Sequence, residues 1–179
     1  MSAANGNSLH SLVGLPPVLD ACCGGRMFWF NRRDERALYV DKREASFKLD
    51  KRSDTVFHVK PDMLADFTDL PFPSDTFALV VFDPPHLVRN GKHSRMSAKY
   101  GDLKGEWQDM LRKGFAECFR VLRPEGVLVF KWNELDVPVS RILALTPEQP
   151  LFGNRCGKRS LTHWIVFMKP NAVLSEKSN

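Results

Sequence analysis

The chain has 179 residues, 43% of them hydrophobic and 26% charged, with a formal net charge of +5 at pH 7. This length and apolar content predict one globular domain over residues 16–170, between flexible tails at 1–15 and 171–179. No apolar run approaches the roughly 20 residues of a membrane span, and residues 1–12 lack the basic and apolar regions of a signal peptide. A cytoplasmic protein without membrane contacts is therefore expected.

The four cysteines give no sign of a metal or redox site, because they form no Cys-x-x-Cys pair and have no histidine at ligand spacing. We expect them to be buried free thiols in a reducing compartment. They are Cys22, Cys23, Cys118 and Cys156.

Two short apolar strands open the predicted sheet, and each ends in an acid. Residues 18–25 predict a strand that runs into a glycine turn after Asp20, with a helix expected over residues 26–32. The second strand ends at Asp41, 21 residues after Asp20. Nucleotide-binding α/β folds hold ribose hydroxyls with a carboxylate at this position, so Asp41 is the ribose candidate. The chain lacks a Gly-x-Gly-x-x-Gly fingerprint, which argues against a nicotinamide dinucleotide site.

The segment that follows gives weaker signals. Residues 42–60 are charged and lack a clear helical stripe, so they predict a weak helix or a small hairpin. Residues 62–73 carry Asp66 and Phe67 and lead through two prolines to the next strand.

The strongest signal is a run of six apolar residues, 77–82, followed by Asp83-Pro84-Pro85-His86. The run predicts a strand buried on both faces of a parallel sheet, in which ligands bind at the carboxyl ends of the strands. Each proline fixes φ and lacks an N–H, so this corner offers carbonyl oxygens and a carboxylate but few donors. Such a corner suits a substrate whose reacting group is a donor, such as an amine.

Positive charge is concentrated in two predicted loops. Residues 86–104 hold five basic residues and one acid, and residues 151–160 hold three basic residues and no acid, so the rest of the chain carries −2. Cationic residues interleaved with aromatic ones suit a polyanion such as nucleic acid, although ordinary solvated loops have the same composition. The substrate-binding candidates in these loops are Arg89, Lys92, Arg95, Tyr100 and Arg155.

The second half of the chain continues an alternation of helices and strands. Residues 106–122 place apolar side chains at spacings of three and four, which predicts a helix packed on the sheet. Residues 126–133 predict a buried strand whose tip, residues 131–134, lies near Asp83 and offers Asn133 as a substrate contact. A short helix over 137–145 and a last strand over 162–169, with Phe152 beginning its partner, complete the chain. This order predicts an α/β fold with a mostly parallel sheet and helices on both faces.

In chain order, these motifs resemble those of class I S-adenosylmethionine-dependent methyltransferases, which have a Rossmann-like fold. The resemblance implies that residues 62–73 supply the third strand of the sheet and that the strand over 162–169 is its antiparallel C-terminal edge strand. Asp83-Pro84-Pro85-His86 is similar to the (Asp/Asn)-Pro-Pro-aromatic motif of the amino-methyltransferases, which are best known for methylating the exocyclic amine of adenine. The resemblance implies that Asp83 and the Pro84 carbonyl orient the target amine. It also implies that His86, where a larger aromatic residue is usual, stacks on the base.

The same resemblance implies S-adenosylmethionine as the cofactor and no metal. Asp20 and the turn with Cys22 and Gly24 would face the methionine end of the cofactor. Asp41, with Lys42 beside it, would face the ribose. Asp66 would accept from the adenine amine, and Phe67 would pack on the adenine ring.

Three functions are compatible with these features. The first is an adenine amino-methyltransferase acting on DNA or RNA, similar to small stand-alone phage-type methyltransferases, and the two basic loops favour it. The second is an amino-methyltransferase acting on a protein side-chain amide or a small amine, since the acceptor corner suits any planar NH2. The third is a non-catalytic binding module, against which the intact Asp41 and Asp83 argue. No separate target-recognition domain is evident, so either the loops read little sequence or a second copy or partner subunit supplies the rest.

Overall fold

The computed structural model describes residues 14–48, 54–87, 105–157 and 160–171. Within these ranges the chain forms nine strands and two helices. In order they are β1 (Val18–Asp20), β2 (Ala37–Asp41), β3 (Ala45–Lys48), β4 (Val56–Val59), β5 (Met63–Leu64), β6 (Phe77–Phe82), α1 (Trp107–Val121), β7 (Leu122–Asn133), α2 (Val139–Leu143), β8 (Phe152–Arg155) and β9 (Thr162–Met168). Neither of these helices is long and apolar enough to cross a membrane.

Seven strands form one sheet in the order β5-β2-β1-β6-β7-β9-β8. Strands β5, β2, β1, β6 and β7 pair in parallel. Strand β9 is antiparallel to both β7 and β8, and β8 is the outermost strand on that side. The predicted mostly parallel sheet with an antiparallel C-terminal strand is therefore confirmed.

The main core lies between the sheet and helix α1. The predicted apolar stripe of this helix is confirmed, because Leu111, Phe115 and Cys118 are fully or almost fully buried against the sheet. Gly114 lets the helix approach closely, since a Cβ at this position would lie 2.7 Å from the ring of Phe67 and 2.8 Å from that of Phe82. The short helix α2 adds Ile142 to the same core cluster.

The opposite face of the sheet is covered over β1 and β2 by turns. Val18, Cys23, Ala37, Tyr39 and Trp29 form a second, smaller cluster there. Helices were expected on both faces, but both helices of the described residues contribute side chains to the main core. Turns occupy residues 21–36 on the other side.

The helix predicted over residues 26–32 is wrong, because this segment consists of turns. Arg26 has a φ of 53°, which no α-helix accommodates. Its guanidinium donates to the Arg32 and Lys60 carbonyls and to Asp62, and it lies 3.8 Å from the centre of the Tyr39 ring. These contacts fix the turns without helical hydrogen bonds.

The described part of residues 42–60 contains two antiparallel strands, β3 and β4, rather than a weak helix, which settles an alternative that the sequence left open. Strands β3 and β4 pair antiparallel, and the rings of Phe47 and Phe57 lie 5.4 Å apart. The predicted third strand is present as β5, although it has only two residues. The expected burial of the cysteines holds for Cys23 and Cys118, whereas Cys156 is exposed.

Candidate functional site

Three acids meet at the carboxyl end of the parallel sheet. Asp20 ends β1, Asp41 ends β2, and Asp83 directly follows β6. Strand β1 lies between β2 and β6, so the strands that follow it in the chain are added on both of its sides. Open α/β sheets bind ligands at the carboxyl ends of the strands where the strand order reverses in this way. Strand order thus brings together acids that are 63 residues apart at the extremes, Asp20 and Asp83.

A cavity of about 330 Å³ opens beside these acids. Its volume lies in the range of small-molecule and cofactor sites. Seven residues proposed from the sequence line it, together with several others. The wall consists of Cys22, Cys23, Gly24, Gly25, Met27, Phe28, Asp41, Lys42, Arg43, Phe57, Phe67, Asp83, Pro85 and Lys131.

Asp41 is held rigidly at the cavity wall. Its Oδ2 accepts from the Gly24 N–H at 3.0 Å, and its Oδ1 accepts from the Arg43 N–H at 3.0 Å. Gly24 has a φ of 49°, a region that favours glycine, and so turns its N–H toward the carboxylate. A carboxylate oxygen accepts more than one hydrogen bond, so Asp41 retains capacity for hydroxyl donors.

Asp20 is fully buried and lies behind the cavity wall rather than in it. The Trp29 indole N–H donates to its Oδ2 at 2.7 Å, whereas its Oδ1 has no hydrogen-bond partner within the described part of the chain. Burial raises the pKa of Asp20 from 3.8 to about 7. The Trp29 hydrogen bond opposes this rise in pKa, as does the nearby backbone N–H of Cys22, whereas the negative charges of Asp83 and Asp41 add to it.

The Asp83-Pro84-Pro85 corner forms another part of the wall, where Asp83 and Pro85 face the cavity and Pro84 is buried. The Nζ of Lys131 contacts Asp83 Oδ2 at 2.5 Å. The prediction that the tip of β7 lies near Asp83 is therefore confirmed for Lys131. The Lys131 ammonium also lies 5.6 Å from the centre of the Phe28 ring and 5.8 Å from that of Trp164.

His86 is buried and does not line the cavity. Its ring lies 6.2 Å from that of Trp132 in an edge-on arrangement. Burial lowers the pKa of His86, so the imidazole favours its neutral form. The stacking role that the sequence suggested for this residue stays a prediction.

Three further site candidates, Asp66, Asn133 and Arg155, lie outside this cavity. Asp66 Oδ1 accepts from the backbone and hydroxyl of Thr68, while Lys42 approaches its other oxygen at 3.8 Å. Asn133 donates to Thr162 Oγ1, and Arg155 lies 3.7 Å from Glu134. The other substrate candidates fall outside the described residues; they are Arg89, Lys92, Arg95 and Tyr100.

Comparison with known proteins identifies the fold. No family model and no curated protein matches the sequence. A solved structure from Pyrococcus horikoshii is similar over 86% of this chain and 81% of its own, with 16% identity and a TM-score of 0.55. The 1,6-didemethyltoxoflavin-N1-methyltransferase of Burkholderia thailandensis, solved with S-adenosylhomocysteine, is similar over 91% of this chain and 75% of its own, with 15% identity and a TM-score of 0.51. The chain has the class I methyltransferase fold. Identities this low show the fold alone.

Seven of the fourteen residues that line the cavity of this methyltransferase fold were not proposed as site residues from the sequence, among them Phe28, Phe57 and Lys131. Phe57 reaches the wall because the β3–β4 hairpin folds over the glycine turn, and a Cβ on Gly25 would lie 2.3 Å from its ring. The glycine pair at 24–25 was the sequence feature that could have indicated such a close approach. Lys131 could have been found as the one charged residue in the apolar stretch from Gly126 to Trp132.

Proposed function

We propose that this protein is an S-adenosylmethionine-dependent methyltransferase acting on an exocyclic amine, with adenine in DNA or RNA as its target. One observation carries the proposal. The donor-poor Asp83-Pro84-Pro85 corner shares a cavity of nucleoside-ligand size with Asp41, which stands where ribose-binding acids stand in this class of sheet.

The residues present fit the proposed cofactor. Asp41 is oriented by two backbone N–H groups and retains lone pairs for ribose hydroxyls. Phe67 gives the cavity an apolar wall for an adenine ring, and Asp20 carries a buried oxygen with no partner in the described part of the chain. When bound, S-adenosylmethionine would supply a methyl group whose bonding electron pair returns to sulfur as the amine lone pair forms the new N–C bond.

The protein would contribute orientation. Asp83 and the Pro84 carbonyl would each accept a hydrogen bond from the amine, which directs its lone pair away from the corner. One amine proton must leave in forming the product, and Asp83 is the carboxylate at the corner that can receive it or pass it to water. Correct placement of reacting groups supplies much of the rate enhancement in such two-substrate reactions.

The proposal is tested by measuring methyl transfer from isotopically labelled S-adenosylmethionine to DNA, RNA and protein extract in parallel, with the nucleosides and amino acids then resolved. Label in N-methyladenine of one nucleic acid is the expected result. Label in a protein side-chain amide alone would replace adenine with the second substrate class. Cofactor binding without any transfer would contradict the catalytic role in this form of the protein and direct the search to a partner subunit.

We also expect the basic loops to bind the polyanion. Reversing the charge of Arg89, Lys92 and Arg95 should weaken oligonucleotide binding and flatten its salt dependence, because each phosphate contact contributes about 0.7 to 0.9 to the slope of log affinity against log salt. Binding is measured by fluorescence anisotropy between about 50 and 200 mM salt, the range over which such contacts change affinity strongly. Reversing Arg36, Arg112 and Lys113, whose side chains are exposed, changes net charge equally and should leave the slope unchanged. Equal effects of the two triple variants on the salt dependence would show that these loop residues act only through the net charge of the protein.

A further inference from the structure

We propose that Asp83 and Lys131 together read the edge of the target base. Asp83 accepts a hydrogen bond from the exocyclic amine, and Lys131 donates one to the ring nitrogen beside that amine. This inference rests on the proposed function and deepens it, because it names the donor–acceptor edge of adenine as what the corner recognises. It gives Lys131 a role in specificity, beyond neutralising Asp83.

The two side chains present a donor beside an acceptor on one wall. Lys131 Nζ contacts Asp83 Oδ2, and both residues line the cavity. Within the described residues, Lys131 is the only side chain that pairs with Asp83, and the contact uses Oδ2 alone. Asp83 Oδ1 therefore remains for an amine donor, while the ammonium has three N–H groups and spends one on Asp83.

Aromatic contacts hold the Lys131 ammonium in place. Trp164 is its direct cross-strand partner on β9, and Phe28 comes from the turns after β1. The two rings meet edge to face with centroids 5.5 Å apart, and the ammonium lies within 6 Å of both. Cations at this distance from a ring centre are attracted to its face. Lys131 is thus fixed at the cavity wall with N–H donors that no described residue other than Asp83 accepts.

This pair is complementary to the Watson–Crick edge of adenine. The edge presents an amine donor directly beside a ring-nitrogen acceptor, so it can form two adjacent hydrogen bonds with an acceptor–donor pair. Enzymes that act on a base take it out of the stack and read this edge by hydrogen bonds. Paired, charge-assisted hydrogen bonds also fix orientation, which a single Asp83 contact would not do.

The test compares oligonucleotides that contain adenine or 1-deazaadenine, in which a C–H replaces the ring nitrogen. The value of kcat/KM for methyl transfer is measured for the wild-type protein and for Lys131→Met with both substrates. The wild type should prefer adenine by about 10- to 100-fold, the effect of losing a hydrogen bond to a charged donor. Lys131→Met should lose most of this preference. Comparing the ratio between proteins cancels the difference in amine reactivity between the two bases.

A variant of the same cavity wall, Lys42→Met, is the matched control and should retain the preference for adenine whatever its rate. An equal preference in wild type and Lys131→Met would overturn the inference, because Lys131 would then act only on Asp83. If Lys131→Met does not fold, Lys131→Leu replaces it in the same comparison, and an equal preference in wild type and Lys131→Leu would likewise overturn the inference. Failure of the wild type to methylate any adenine would overturn the proposed function itself, which separates the two failures.

Discussion

Replacing Asp83 with alanine should lower the rate of methyl transfer at least about 100-fold, because misplacing a reacting group costs this much even without removing a catalytic group. Affinity for S-adenosylmethionine should be nearly unchanged, since the ribose candidate Asp41 keeps both of its backbone hydrogen bonds. The two quantities are measured by labelled transfer and by isothermal titration of the cofactor.

Asp83→Asn separates orientation from charge. An asparagine oxygen still accepts a hydrogen bond from the amine, so this variant should retain more activity than Asp83→Ala. Both variants remove the ion pair with Lys131, and any loss of stability is therefore common to them and visible in thermal unfolding. Transfer that survives in Asp83→Ala at the wild-type rate would place the reacting corner elsewhere in the cavity.

The sheet could be predicted because each of its main parallel strands has a recognisable pattern of apolar residues in its own sequence. The six apolar residues of β6 form a run that is typical of an interior strand, and four of them are buried. Strands β1 and β2 both end in an acid. Parallel strands point their carboxyl ends toward one edge, so the convergence of Asp20, Asp41 and Asp83 follows from strand direction and order alone. That part of the site is a consequence of topology.

The turns after β1 could not be predicted, because their conformation depends on distant partners. Residues 26–32 contain apolar side chains at spacings that a helix also produces. In the fold, Trp29 donates to the buried Asp20, and Arg26 contacts Lys60 and Asp62 across the sheet edge. The conformation of this segment depends on contacts between residues more than 30 positions apart. Such contacts cannot be inferred from the sequence of the segment itself.

Phe57 and Lys131 of the cavity wall were missed for a related reason. Phe57 enters the site on a hairpin that the sequence left undecided, and Lys131 does so through its pairing with Trp164 and Asp83. Each is placed by an element other than the strands that carry the acids. His86 is the opposite case: it lies only three residues after Asp83 in the sequence, but its ring does not line the cavity.

A second large effect is expected at Asp20, whose pKa in the fold is about 7 instead of 3.8. Below pH 3.8 the carboxyl is neutral in both the folded and the unfolded chain and has no effect on stability. Between pH 3.8 and about 7 the folded chain binds a proton that the unfolded chain has released, so the free energy of unfolding falls as pH rises. At about 1.4 kcal/mol per pH unit, the loss is about 4 kcal/mol and is complete above pH 7.

The measurement is urea unfolding of wild type and Asp20→Asn from pH 4 to pH 8. Asparagine keeps an acceptor for the Trp29 indole but carries no charge, so the variant should be similar to wild type near pH 4 and more stable by about 4 kcal/mol at pH 8. Taking the difference between the two proteins removes the contribution of other titrating groups, including His86. Asp34→Asn is the matched control: the Arg36 hydrogen bond lowers the pKa of Asp34 to about 2, so its difference curve should be nearly flat in this range.

A flat curve for Asp20→Asn would show that the Asp20 carboxylate is solvated or paired in solution, which would contradict its burial with one oxygen unpartnered within the described part of the chain.

The expected slope has a functional consequence. A carboxylate that destabilises the folded chain at neutral pH is not there for folding, since asparagine would keep the Trp29 contact without that cost. Its position at the end of β1, beside the cavity, then points to a ligand that stabilises its charged form, and residues that cost stability in this way are typical of binding sites.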